Sequence, residues 1–176
     1  LLHLIRHGVA DGVTGRCIGH HDVPLSAEGR AAMRRAGEQW EGPTPTRVIS
    51  SDLARATASA HELAGAWGLP VEIDPRLREL HFGEWEGCTW EALERDDGAR
   101  LSAWMQDWVH VAPPGGESFV DLTTRVLACA DHLTPGTVVV AHAGSIRALL
   151  CHARGVPPER AFDLVVEHAR YISIPG

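Results

Sequence analysis

The chain has 176 residues, 44% hydrophobic and 22% charged, the make-up of one soluble domain that buries a single sizeable core without a disulfide or metal staple. A formal net charge of −7 excludes a general affinity for nucleic acid or an anionic membrane, so any anion site has to be built locally. Cys17, Cys88, Cys129 and Cys151 are far apart with no Cys-x-x-Cys pair, which excludes a redox motif and a zinc ribbon and makes reduced, cytoplasmic thiols the expectation.

The first apolar run, Leu1 to Ile5, is too short for a signal-peptide core, and no later run has the length of a membrane helix. It predicts a strand over about 1–6 that ends abruptly in Arg6-His7-Gly8. Residues 26–41, rich in Ala and Arg, predict a helix whose first turn the Ser26 hydroxyl caps. A second strand, 46–50, runs into Ser50-Ser51-Asp52-Leu53-Ala54-Arg55-Ala56. There Leu53, Ala56, Ala60, Leu63 and Trp67 recur on one helical face that stops at Gly68 and Pro70.

A third strand, 70–73, leads to Leu77-Arg78-Glu79-Leu80-His81-Phe82-Gly83. Residues 84–116, with Trp85, Trp90, Trp104 and Trp108 and a Pro113-Pro114-Gly115-Gly116 turn, read as a flap inserted beside the sheet. A helical face follows at Phe119, Leu122, Val126, Ala130 and Leu133. A strand over about 137–142 follows, whose apolar run Val138-Val139-Val140-Ala141 ends in His142-Ala143-Gly144. Ile146, Leu149, Leu150 and Ala153 form the last helical face, and 170–174 a final strand, read as an antiparallel edge. Alternating strands and helices predict an α/β fold with a mostly parallel sheet in one domain over 1–176.

In such a sheet the ligand lies beyond the carboxyl ends of the strands. Arg6, His7, Arg55, Glu79 and His142 all follow predicted strands. Phosphoryl transfer asks for that set, because the migrating group carries negative charge and needs positioned cations. Arginine binds phosphate oxygens bidentately and stays charged. A neutral imidazole attacks phosphorus, and a carboxylic acid protonates the leaving alkoxide. Any one of these residues alone reads as an ordinary surface or ion-pair residue, and His20, His21, His61, His110, His132 and His152 read as solvated.

These four blocks, in this order, resemble the histidine phosphatase, or phosphoglycerate mutase-like, superfamily over nearly the whole chain. The resemblance implies a three-layer α/β/α sandwich and a phosphohistidine on His7. Arg6, Arg55 and His142 would hold the phosphoryl group, and Glu79 would serve as acid and then base. It implies no metal and no cofactor. The matching segments add Arg16, Gly19, Phe82 and Ala143 as substrate contacts. Within the superfamily the segments 81–87, 115–118, 142–150 and 164–168 look most similar to α-ribazole phosphatases of cobalamin biosynthesis.

The chain departs from the family where Val9-Ala10 replace a polar pair and Asp11-Gly12-Val13 offer no Asn, which removes one or two phosphate contacts. The expected activity is a metal-independent phosphomonoesterase acting on a small-molecule phosphate ester, α-ribazole 5′-phosphate first. Nucleic acid and membrane are not expected partners, and a dimer is one candidate assembly. Alternatives are a broad-specificity or protein phosphohistidine phosphatase, a phosphoglycerate mutase and an inactive phospho-ligand-binding member. One or more flap tryptophans, Trp85, Trp104 or Trp108, and Phe82 are candidates to stack on an aromatic substrate.

Overall fold

The computed structural model describes residues 1–175. Five strands, β1 (Leu2–Arg6), β2 (Arg47–Ser50), β3 (Val71–Ile73), β4 (Thr137–Ala141) and β5 (Tyr171–Ile174), form one sheet in the order β3-β2-β4-β1-β5. The first four are mutually parallel, with Leu4 opposite Val139 and Val48 opposite both Val138 and Val71. β5 runs antiparallel to β1, with Ile172 opposite Leu4, as expected for the edge.

Successive side chains of a strand point to opposite faces, and both faces of this sheet are apolar. Leu4, Ile49, Val139 and Ala141 pack beneath α4 (Phe119–Ala130) and α5 (Ala143–Arg154), against Leu122, Val126, Ile146 and Leu150. Ile5, Val48, Val138 and Val140 pack on the other side with α1 (Ala27–Glu38) and α2 (Ala54–Gly65), against Met33, Ala60 and Leu63. The result is the α/β/α layering of the sequence reading. Each such fully buried aliphatic side chain contributes about 1.5–3 kcal/mol of transfer free energy.

Ser26 caps α1, its hydroxyl accepting the Gly29 amide at 2.9 Å. Residues 83–85 form a 3₁₀ turn, and the segment read as a flap contains α3 (Trp90–Gln106), a kinked helix with Asp97 outside helical geometry. α3 brings Leu93 and Leu101 onto Trp85 and Cys17, a separate small core beside the sheet. Among the described residues no helix is long and apolar enough to cross a membrane.

Candidate active site

β1, β2 and β4 end at one edge of the sheet, and the segments leaving them converge on one cavity of about 290 Å³. Arg6, His7, Arg16 and Arg55 line it, together with Glu79, Phe82 and Ala143. Glu79 arrives through the 3₁₀ turn over 75–77 that follows β3. Two of the expected residues stand back from the wall. His142 is completely buried with its ring 5.0 Å from that of His7, and Gly19 lies behind Arg55.

His7 is 6% exposed and its amide continues the sheet ladder, donating to the Ala141 carbonyl at 3.0 Å. Its Nδ1 lies 2.6 Å from the Gly8 carbonyl oxygen. A carbonyl only accepts, so Nδ1 carries the hydrogen and Nε2 carries the lone pair. Burial, and then the positive charge of Arg55, hold the imidazole well below its usual pKa of 6.5, so it is neutral at pH 7. His142 is lowered well below that value too, first by burial and then by His7 and Arg55. Its Nε2 meets the Ser51 hydroxyl at 2.9 Å, while its buried Nδ1 has no hydrogen-bond partner among the described residues.

Arg55 is 2% exposed, and its guanidinium donates to the carbonyls of Gly19 at 2.6 Å and His21 at 3.1 Å. Arg6 donates to the Val166 carbonyl at 3.0 Å, and its buried Nε has no partner among the described residues. Burial lowers the pKa of both, though an arginine stays charged at pH 7. Two desolvated cations held by neutral carbonyls are costly, and an anion at the cavity compensates them. Glu79 sits against the amino end of α5, its Oε1 accepting the amides of Leu80 at 2.9 Å and Gly144 at 3.0 Å.

Gly19 gives its carbonyl to Arg55 and its amide to Glu86 Oε2 at 3.0 Å, so it braces the site from behind. A β-carbon there would collide with the Leu80 carbonyl. Glu86 also takes the amides of His20, His21 and Phe82, which makes it a loop anchor. Burial opposes its ionisation, but the four amides hold its pKa below the usual value. His20 is half-buried, not solvated, and its Nε2 meets the Glu79 carbonyl at 2.8 Å. Trp85 is 2% exposed and takes no part in the cavity, because its Nε1 is tied to Asp97 at 2.7 Å.

Sequence reasoning missed Arg147 and His168, both on the cavity wall. Arg147 stands three residues after Gly144 on α5, on the face that leads back to Glu79, and that spacing is a signal for it. Its Nε donates to the Leu164 carbonyl at 3.2 Å and its guanidinium lies 5.0 Å from the Phe162 ring centre. Trp90, Trp104, Trp108, Phe119 and Phe162 make the far wall aromatic. Ala10 and Val13, where the family pattern has polar residues, put apolar surface into the cavity.

The model of the histidine phosphatase superfamily (branch 1) matches residues 2–174. An adenosylcobalamin/α-ribazole phosphatase of Escherichia coli (strain K12) is 31% identical over 179 residues, covering 98% of this chain and 88% of that one. A glucosyl-3-phosphoglycerate phosphatase of Mycobacterium tuberculosis (strain H37Rv) is 40% identical over 165 residues, covering 84% of this chain and 72% of that one. The crystal structure of the α-ribazole phosphatase from Shigella flexneri superposes with a TM-score of 0.86 at 31% identity, covering 97% of this chain and 87% of that one.

Proposed function

The chain belongs to the histidine phosphatase superfamily (branch 1), and we propose that it is a metal-independent phosphomonoesterase working through a phosphohistidine on His7. The observation that carries this is the Nδ1 contact of His7 with the Gly8 carbonyl, which leaves Nε2 as the free nucleophile in a cavity shared with Arg6, Arg55 and Glu79. Nε2 attacks phosphorus, the bond to the ester oxygen breaks, and Glu79 protonates the departing alkoxide. Arg6, Arg55 and His142 meet the charge on the phosphoryl oxygens. Glu79, now a carboxylate, takes a proton from water as the water oxygen attacks phosphorus. The phosphorus–nitrogen bond breaks and inorganic phosphate leaves.

The substrate proposed first is α-ribazole 5′-phosphate. Its support is the aromatic far wall, which suits a flat base. Trp90 and Trp104 stack at 15°, and Trp108 stands edge-on to both Phe119 and Phe162. A glucosyl-3-phosphoglycerate is the second reading, favoured by the 40% identity over 165 residues and by Arg147, a cation on the wall suited to a carboxylate.

The test is phosphate release with EDTA present from both esters, from 3-phosphoglycerate and from a nitrophenyl phosphate, with His7→Ala as the control. Selective turnover of one ester, lost in the variant along with an acid-labile phosphoenzyme, assigns mechanism and substrate together. Turnover of the nitrophenyl ester alone keeps the mechanism and removes both substrates. Chelator-sensitive activity, or activity retained in His7→Ala, sinks the mechanism.

A further inference from the structure

The segment between α5 and β5 makes a series of contacts with the working residues that the mechanism above does not use. The Leu164 carbonyl takes Arg147, the Val166 carbonyl takes Arg6, and the Ala169 amide donates to the Arg6 carbonyl at 3.0 Å. His168 stands in bridge register with Arg6, and its Nδ1 lies 2.8 Å from the His7 carbonyl. Ala169, immediately after it, has φ +54°, the one non-glycine residue in left-handed backbone among the described residues. Strain of that kind persists where the surroundings hold it, and here it turns the chain so that His168 faces the nucleophile.

The tautomer of His168 follows from its partner. The His7 carbonyl only accepts, so Nδ1 of His168 carries a hydrogen and Nε2 is the free position of the ring. That ring lines the cavity, 5.2 Å from the ring of His7, and Nδ1 is the one atom of it engaged by the protein among the described residues. Arg6 at the end of β1 and His7 just past it are its charged and titratable neighbours, with Arg55, Glu79 and Arg147 also on the wall and His142 behind His7.

We propose that His168 is a further phosphoryl-binding residue, taking up a proton from solvent when a phosphoryl dianion enters and donating from Nε2 to one of its oxygens. Ala10 and Val13, also on the cavity wall, offer no polar contact of their own. Burial and the charge of Arg6 keep the imidazole neutral beforehand. An arriving dianion reverses the sign of that local field, and the proton returns to solvent as phosphate leaves. The inference rests on the phosphohistidine reading of His7.

Inorganic sulfate is the probe, because it stays a tetrahedral dianion across the range in which imidazole titrates. Its binding is measured by calorimetry at about pH 6 and about pH 8, in buffers of different ionisation heat. His168→Asn keeps an N–H for the His7 carbonyl and removes the cavity-facing nitrogen. It is expected to bind sulfate about tenfold more weakly at the lower pH, with about one fewer proton taken up. His168→Gln places a neutral donor near the Nε2 position and is expected to bind well with the same loss of proton uptake.

Wild-type affinity and proton uptake in His168→Asn overturn the proposal while leaving the phosphatase reading intact. Should that variant fail to fold, full proton uptake in His168→Gln overturns it instead. Failure of the wild-type protein to bind either sulfate or inorganic phosphate removes the phosphatase reading, and this inference with it.

Discussion

Gly144 decides how closely α5 approaches the carboxyl group of Glu79. Its amide lies 3.0 and 3.2 Å from the two oxygens, and a β-carbon would collide with Oε1. Gly144→Ala therefore displaces the proposed acid by about 1 Å and is expected to cut turnover about 100-fold. Alanine favours the helix, so thermal unfolding should change by no more than about 1 kcal/mol. Equal turnover in the variant would mean that Glu79 carries no proton in the reaction. Of the residues around it, His7, Arg55 and His142 are legible in the sequence because they lie beyond strand ends, where the chain leaves the sheet for the crevice, Arg6 because it closes β1, and Glu79 mainly through the resemblance of its block to the family. Arg147 is legible only through its spacing from Gly144, and His168 is not legible, because it lies in a stretch without periodicity. Only the register of β5 against β1 and the pitch of α5 bring them to the cavity.

At the scale of elements, the strands are legible because parallel strands buried on both faces read as short continuous apolar runs, Val138-Val139-Val140 above all. α1 and α2 are shorter than their patterns because Trp40 and Trp67, which extend the apolar faces, pack from the turns beyond the helix ends. The 84–116 segment is the least legible, since its small core of Leu93 and Leu101 on Trp85 and Cys17 is built by a helix whose periodicity breaks at Asp97. Asp97, at the kink of α3, accepts from the Nε1 of buried Trp85. Asp97→Ala leaves that donor buried and unpaired, which costs about 1–3 kcal/mol. Asp97→Asn keeps an acceptor and is expected to recover most of it in urea unfolding. Because Trp90 and Trp104 ride on the same helix, Asp97→Ala should also raise the KM for an aromatic ester more than for a small one. An unchanged ratio of the two KM values would show that α3 does not shape the leaving-group side of the cavity.

The whole molecule carries an acid sensitivity set by its buried histidines. His3, His7, His20, His142 and His168 are all lowered from 6.5, first by burial in each case, so the folded chain keeps them neutral at a pH where the unfolded chain protonates them. The unfolded state then binds more protons, and stability rises with pH in that window. It is fully present above about pH 6.5 and is lost as pH falls through the lowered folded values. Each histidine that stays neutral in the fold contributes about 1.4 kcal/mol per pH unit. The carboxylates act lower down. Asp52, Asp74 and Glu86 are held below their usual values, Asp74 at about 2, so their share is lost only as pH falls through the carboxylate range. Urea unfolding from pH 8 to pH 2 is therefore expected to show two successive losses of stability, the first beginning near pH 6.5 and the second as pH falls through about 4. His142→Gln removes one titrating group and should make the first loss shallower by about 1.4 kcal/mol per pH unit without altering the second. A stability that stays level between pH 7 and pH 5 would mean that these imidazoles take up protons in the folded chain just as in the unfolded one, and His7 would then lose the lone pair with which it attacks phosphorus as pH falls through about 6.5.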